Sequence, residues 1–208
     1  MANKSGQRVW LWIMAVSAVG VALVSYRYLV PGAPGAAPPI LANRFTHLGA
    51  LTVHAGLAAT ALLLGPFQFF PGLRARHRAL HRRMGTVYVL SCIIGGVAGF
   101  VLAFGTTAGP VAAAGFGLLA ITWVYVTGQA WRTAKARDFA AHRQWMIRSF
   151  ALTLGAVTLR IYLPLAMGAG LSYATAYPAI AWLAWVPNLI VAQLYLSQSR
   201  PAPARAAA

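Results

Sequence analysis

Histidine is the residue type in this chain that is best suited to metal chemistry. The five histidines are His47, His54, His77, His81 and His142. Neutral imidazole is the usual protein ligand of haem iron and a common ligand of zinc and copper. A haem with two axial histidines needs them on facing helices, so His81 and His142 are a candidate pair of haem-iron ligands. His54 is a third candidate ligand, and haem b is the candidate cofactor.

Arginine follows directly after two of these histidines. Arg82 and Arg143 come next to His81 and His142, and a guanidinium binds a carboxylate such as a haem propionate through two parallel hydrogen bonds. Both arginines are therefore candidate cofactor-binding residues. The alternative is that the histidines are structural: His54 would hydrogen-bond a neighbouring helix, and the others would be interfacial bases.

Two further arginines lie inside a long apolar stretch and suggest a ligand cavity. Burying a guanidinium without a carboxylate partner costs several kcal/mol in a membrane. Arg148 lies near one end of its stretch, where its long side chain can reach the interface, so Arg160 is the stronger candidate to hold an anionic group such as a propionate, a phosphate or a quinone oxygen. The alternative is that Arg160 caps helix carbonyls at the surface. The candidate ligand-cavity residues are Arg148, Arg160, Trp182, Trp185 and Asn188, and His54 is expected to line the same cavity.

The last apolar stretch contains a proline beside an asparagine. Pro187 cannot donate a backbone hydrogen bond, so the carbonyl of Leu183 loses its helical partner and the helix is predicted to kink there. Asn188 can satisfy freed backbone groups or a bound ligand. The alternative is that the Pro-Asn pair only holds neighbouring helices together.

Acidic residues are almost absent, and this excludes several classes of enzyme. Asp138 is the only carboxylate side chain in the chain, which argues against paired-carboxylate hydrolases and against carboxylate sites for Mg²⁺ or Ca²⁺. No Gly-rich phosphate loop ends in Lys-Ser/Thr, so an ATP-driven machine is not expected. A single cysteine, Cys92, excludes an intrachain disulfide.

The composition is that of a membrane protein. Of 208 residues, 60% are hydrophobic and only 9% are charged, far more apolar side chains than a soluble domain can hide. The formal net charge of +16 comes from short basic clusters between apolar stretches, where anionic lipid headgroups attract them. We therefore expect a lipid bilayer with anionic lipids on one face as the partner, and no nucleic acid.

Six apolar stretches are long enough to cross ~30 Å of hydrocarbon. The expected fold is an all-α polytopic membrane helix bundle, with a basic N-terminus at 1–8, a single transmembrane domain at 9–198 and a disordered tail at 199–208. The first stretch resembles a signal peptide followed by a loop of small residues at 31–39, but a retained helix agrees better with the charge pattern. The predicted spans are 9–26, 45–70, 84–104, 111–131, 144–167 and 178–196.

The basic residues also predict the orientation. Both termini and the basic segments 73–85 and 132–143 fall on one side of the predicted bundle, whereas the loops on the other side hold only Arg27 and Arg44. Such asymmetry places the basic side in the cytoplasm. We therefore expect both termini inside the cell, a cytoplasmic loop at 73–85, and a location in the cytoplasmic (inner) membrane of a bacterium.

Four blocks in order resemble the bacterial membrane-protein family catalogued as domain of unknown function 2306. They are GPFQFF, LRARHRALHRRMGTVYV, AHRQWMIRSFALTLGAVTLRIYLP and AWLAWVPNLIVAQLYL, within about residues 54–196. Members of the family often have Glu where this chain has Gln193, and Arg near the position of Thr86. The positions that the resemblance points to are His54, Gly65, Arg74, His81, Arg82, Gly85, Tyr88, His142, Arg143, Trp145, Arg148, Arg160, Pro187 and Asn188.

The family resemblance implies no activity, and three functions remain open. The helical layout is similar to that of small di-haem b-type cytochromes, which is an analogy of fold only. The first hypothesis is a redox protein that holds haem b and exchanges electrons with quinone or a redox partner. The second is a binding or transport module that uses the Arg160 cavity. The third is an assembly partner, because abundant Gly and Ala would permit close helix contacts, including a homo-oligomer.

Overall fold

A computed structural model describes residues 4–30 and 38–198. These residues form α-helices and two short 3-10 turns, with no strand among them, which confirms the all-α prediction. Residues 31–37 of the predicted loop, residues 1–3 of the basic N-terminus and the predicted disordered tail at 199–208 lie outside the described residues, as does any cleavage site in 31–37.

Within the described residues, six helical segments are long and apolar enough to cross a membrane, as predicted. They run from Arg8 to Leu29, Leu48 to Phe69, Arg78 to Phe104, Gly109 to Lys135, Phe139 to Gly168 and Tyr173 to Gln198. The helices are α1 (Lys4–Ser25), α2 (Pro38–Leu64), α3 (Pro71–Arg76), α4 (Arg78–Phe104), α5 (Gly109–Lys135), α6 (Phe139–Thr153), α7 (Gly155–Gly168), α8 (Tyr173–Leu183) and α9 (Val186–Gln198).

The basic stretch 73–85 is mostly helical and not the loop that its charges suggested. Helix α3 ends at Arg76 and α4 begins at Arg78, with only His77 between them. Leu, Ala, Arg and Met all favour helix, so this stretch is helical despite its charges. Its long basic side chains therefore extend from the ends of helices and not from a loop. The third span therefore begins at Arg78, well before the predicted residue 84.

The last two spans are each broken near their middle, and the breaks lie together. Helices α8 and α9 are separated at Ala184 and Trp185, close to Pro187, which confirms the predicted disruption. The side-chain amide of Asn188 donates to the Ala184 carbonyl over 3.1 Å. A Cβ atom on Gly155, the first residue of α7, would lie 3.3 Å from that carbonyl. The absence of a side chain at Gly155 therefore lets the two breaks approach.

The packing centres on α4, α5 and α6. Helix α4 lies between α2 and α5, and α5 also contacts α6 and α8, while α1 covers α2 and α7. The buried core includes Leu62, Tyr88, Cys92, Trp123 and Phe150. Many large apolar side chains point outward instead, as expected where lipid surrounds the protein.

The two ends of the bundle differ in charge. We call the end that carries α3, the start of α4, the end of α5 and the start of α6 the basic end. The end that carries the turn Tyr26–Leu29, the end of α7 and the start of α8 is the opposite end. The placement of the basic end in the cytoplasm stays a prediction.

Candidate functional site

Arg160 lies inside the bundle at the opposite end. It sits on α7, about two turns before the span ends at Gly168. Its Nη1 donates to the Ala156 carbonyl over 3.0 Å, and its Nη2 donates to Ser25 Oγ, at the end of α1, over 2.8 Å. The guanidinium is therefore fixed between two helices and does not extend freely to the surface.

Four helical segments bring polar side chains around this guanidinium. Tyr28 and Tyr177 both interact electrostatically with Arg160, and so does His54. The only Asp or Glu of the chain, Asp138, is at the basic end, where it accepts a hydrogen bond from the Ala141 amide at the start of α6. The partly buried positive charge of Arg160 therefore has no acidic side chain to balance it.

His54 is held against α4 by two glycines. Its Nδ1 lies 2.8 Å from the Gly95 carbonyl, and because a carbonyl only accepts, Nδ1 carries the proton and Nε2 a lone pair. A Cβ atom on Gly99 would lie 2.8 Å from the same Nδ1, too close for an ordinary contact. The hypothesis that His54 hydrogen-bonds a neighbouring helix is confirmed.

Aromatic rings line the opposite end beside Arg160. Tyr173 and Tyr177 stack with ring centroids 4.4 Å apart, and Phe116 packs on Tyr177 at 5.4 Å. Ser172 begins α8 by accepting a hydrogen bond from the Thr175 amide. Neither tyrosine was among the predicted site residues, because both precede the predicted start of the sixth span at residue 178. Their spacing of four residues, which places two side chains on one helix face, could have indicated the pair.

The structure does not place the five predicted cavity residues around one space. Arg148 lies toward the basic end, where its Nε donates to Gln193 Oε1 over 3.1 Å and its guanidinium covers the Trp145 ring at 4.8 Å. Trp182 donates to the Val111 carbonyl on α5 over 3.1 Å. Arg148 is therefore bonded to α9 and Trp182 to α5, and neither side chain is bonded to Arg160.

The remaining two predicted cavity residues lie at the break between α8 and α9. Trp185 stacks on Trp182 with centroids 6.1 Å apart, and its buried Nε1 has no hydrogen-bond partner among the described residues. Asn188 donates to Thr158 Oγ1 over 2.8 Å and lines a groove of about 200 Å³ between α1, α7 and α9, together with Trp10. Arg160 is not among the residues that line this groove.

At the basic end, His81 and His142 lie near enough for their charges to interact. His142 Nδ1 lies 2.8 Å from the Ala130 carbonyl and donates to it, and His142 and Arg74 both act electrostatically on His81. His54 does not join them, because it lies toward the opposite end. No cluster of three or more potential metal ligands occurs in the described part of the chain, and haem b binding stays a prediction.

The arginines predicted to bind propionates are both exposed. Arg143 donates to the Tyr195 hydroxyl of α9 over 3.2 Å. The carbonyl of Arg82 accepts a hydrogen bond from Thr86 Oγ1, the position near which family members often have Arg. Both guanidinium groups therefore lie at the surface of the basic end.

A buried network of hydroxyl groups at the centre of the bundle was not predicted from the sequence. The Tyr88 hydroxyl lies 2.9 Å from both Ser149 Oγ and Thr153 Oγ1. Thr127 Oγ1 is 2.7 Å from Ser149 Oγ, and the Trp123 indole donates to Thr153 Oγ1 over 3.0 Å. On α5 and α6 the partners are four residues apart, a spacing that places them on one helix face and could have revealed the network.

This fold and site define a multi-pass membrane bundle with a hydrogen-bonded centre and a partly buried arginine at one end. Residues 51–196 match the family described as predicted membrane protein (DUF2306), and the chain belongs to this family, as its motifs predicted. Comparisons with curated proteins and with solved structures find no match. The family description assigns no activity, so the function must be argued from the sites.

Proposed function

We propose that this protein binds a small anionic ligand at Arg160, at the end of the bundle opposite the basic clusters. The observation that carries the proposal is a guanidinium held inside a membrane span with no carboxylate side chain to balance it. An uncompensated charge within the bilayer costs several kcal/mol. An anionic ligand beside Arg160 would offset much of that cost.

The surroundings of Arg160 favour a ligand with an anionic or strongly accepting oxygen on an apolar body. Arg160 bonds Ala156 and Ser25 and also interacts with the Tyr28 hydroxyl, and its remaining N–H groups can donate to such an oxygen. The hydroxyl groups of Tyr28 and Tyr177 add further donors. The stacked rings of Tyr173 and Tyr177 offer a flat apolar surface. Carboxylates, phosphates and quinone oxygens all satisfy this description.

The test is ligand-dependent stabilisation of the purified protein in nanodiscs, with benzoate, inorganic phosphate and decylubiquinone as probes. We expect at least one probe to raise the unfolding temperature, because a ligand at about a hundred times its Kd stabilises the folded state by ~2.7 kcal/mol. Arg160→Gln should abolish this rise. Arg160→Lys should retain part of it, because lysine keeps the charge but not the planar fork.

Arg148→Gln is the matched control, because Arg148 lies in the same span but bonds Gln193 toward the basic end. It should respond to the probe as the wild type does. Equal stabilisation of the wild type and Arg160→Gln would contradict the proposal, and so would a well-folded wild type that responds to none of the probes.

The approach of His81 and His142 favours a second candidate function, the binding of haem b for electron transfer. His142 donates Nδ1–H to a backbone carbonyl, which leaves Nε2 for iron, as metal-ligating histidines commonly do. The two cavities described by the structure are lined by neither histidine. A Soret band in the purified protein that is lost in both His81→Ala and His142→Ala would support this candidate, and a spectrum without haem after expression with excess haem would remove it.

A further inference from the structure

We propose that Gln68 and His81 form a binding site for the phosphate headgroup of an anionic phospholipid at the basic end of the bundle. The site is separate from Arg160, and it would be occupied whether or not the Arg160 site binds its own ligand.

The first observation is a buried amide without a partner. Gln68 follows α2 in the turn Pro66–Phe69, and only 5% of its surface is exposed. Its Nε2 has no hydrogen-bond partner among the described residues. Leaving such a donor unsatisfied costs about 1–3 kcal/mol, so a partner from outside the chain would stabilise the fold.

The second observation is an unpartnered imidazole nitrogen on the adjoining face of α4. The buried Nδ1 of His81 also lacks a hydrogen-bond partner among the described residues. A Cβ atom on Gly85 would lie 3.4 Å from Gln68 Oε1, so the amide lies across α4 at that residue. Gly85 is four residues after His81, and residues at this spacing are neighbours on one helix face, ~6 Å apart. Gln68 and His81 therefore lie along one face of α4, about one helical turn apart.

The charge around the site favours an anion. Arg74 and His142 both act electrostatically on His81, and exposed arginines continue along α3 and the start of α4, among them Arg78 and Arg82. The single acidic side chain, Asp138, is occupied as the cap of α6. The Gln68 amide N–H, the His81 imidazole in the tautomer that carries its proton on Nδ1, and a nearby guanidinium can satisfy the oxygens of a phosphate, whereas a cation would be repelled.

The apolar surface beside Gln68 favours a lipid as the source of that phosphate. Phe67 and Phe70 flank the turn with ring centroids 6.2 Å apart, and Trp12 of α1 packs edge-on against Phe70 at 5.1 Å. Trp12 and Phe67 are also exposed on the outer surface, where acyl chains would lie. Anionic headgroups are attracted to basic clusters by ~1 kcal/mol per Lys or Arg, so an anionic phospholipid meets both requirements.

The experiment measures lipid retention by the full chain. The protein is purified in mild detergent, equilibrated with mixtures of phosphatidylglycerol and phosphatidylcholine, and examined by native mass spectrometry. We expect one retained phosphatidylglycerol that excess phosphatidylcholine does not displace. Gln68→Leu and His81→Leu should each weaken this retention about tenfold or more, because each removes one N–H donor to the phosphate. Gln144→Leu, at the same end but outside the site, should leave it unchanged.

Gln68→Glu keeps the size of the side chain and serves as a second variant if Gln68→Leu does not fold. Because the acid repels a phosphate, it should also lose the lipid. The proposal is overturned if phosphatidylcholine competes equally in the wild type, or if the folded variants retain the lipid. It is also overturned if inorganic phosphate alone stabilises the delipidated protein through Gln68, which would identify a free anion, or if His81 proves to ligate haem.

Discussion

The two ends of the bundle hold their basic residues in contrasting ways. At the opposite end, Arg160 is partly buried and hydrogen-bonded to Ala156 and Ser25, but no acidic side chain balances its charge. At the basic end, many arginines are exposed, while the buried nitrogens of Gln68 and His81 have no hydrogen-bond partner among the described residues. A surface arginine costs little and directs topology. The number of charges at an end therefore says less about ligand binding than the environment of a few buried polar groups.

The hydroxyl network around Tyr88 separates the two ends and contains no charge. It joins α4, α5 and α6 through the side chains of Tyr88, Thr127 and Ser149. Hydrogen bonds between membrane helices contribute ~0.6 kcal/mol on average and about 1.7 kcal/mol at most. The network therefore fixes how the helices that carry His81 and His142 face each other.

The largest predicted effect comes from Gly99→Ala, which would alter the opposite end alone. The new Cβ atom would lie 2.8 Å from His54 Nδ1 and would displace the imidazole from the Gly95 carbonyl. We expect a loss of about 1–3 kcal/mol of unfolding free energy from overpacking, measured by titration with SDS in mixed micelles. Probe binding at Arg160 should weaken, and phosphatidylglycerol retention should not change.

Gly128→Ala is the control for this substitution, because no atom lies within 4 Å of its Cβ position. Alanine favours helix over glycine by about 1 kcal/mol, so this variant should be at least as stable as the wild type. Equal stability of the Gly99 and Gly128 variants would show that His54 is not held as the structure describes.

The second prediction concerns the centre, on which both ends depend. Tyr88→Phe removes a hydroxyl that contacts Ser149 and Thr153, so the buried network loses two hydrogen bonds, although Thr127 and Trp123 still bond these two side chains. We expect a loss of about 1–2 kcal/mol in the same titration, with ligand binding reduced at both ends together. Tyr125→Phe, on the exposed surface of α5, should cost almost nothing; equal losses in the two variants would contradict a structural role for the network.

The sequence was sufficient to predict the architecture and to single out individual polar residues, but not to predict which of these residues lie together. Apolar length predicted all six spans, and Pro187 predicted the break in the last one, because both are local properties. Trp182 and Asn188 lie in one stretch, yet they bond Val111 of α5 and Thr158 of α7. Which neighbour each helix face meets depends on packing, and that information is not contained in the spacing of residues along one helix.

The same limit explains why the two buried nitrogens of the basic end were missed. Gln68 lies in an apolar block, GPFQFF, which indicates a span and not a site. Only the positions of the surrounding atoms show that Gln68 Nε2 has no hydrogen-bond partner among the described residues. His81 and His142 were predicted to lie at the same end because both belong to basic segments on one side of the bundle, and the alternation of the spans is enough to predict that.

The third prediction tests whether the only carboxylate side chain is structural. Asp138 accepts a hydrogen bond from the Ala141 amide over 2.9 Å and caps α6, whose first turn carries His142. Asp138→Ala should cost about 1 kcal/mol and leave probe binding at Arg160 unaltered, whereas Asp138→Asn should cost less because asparagine also caps helices. Loss of Arg160 binding in the alanine variant would mean that the two ends communicate.

The smallest predicted effect would introduce a second carboxylate next to Arg148, near the basic end of its span. Arg148 Nε donates to Gln193 Oε1 over 3.1 Å, and the family resemblance places Glu at the position of Gln193 in many members. Gln193→Glu should convert this contact into an ion pair and raise the unfolding free energy by about 0.2–1 kcal/mol, because exposed ion pairs gain little. The double variant Arg148→Gln with Gln193→Glu should lose that gain. If Gln193→Glu stabilises the protein equally without Arg148, the stabilisation comes from the summed positive charge of the basic end and not from an ion pair with Arg148.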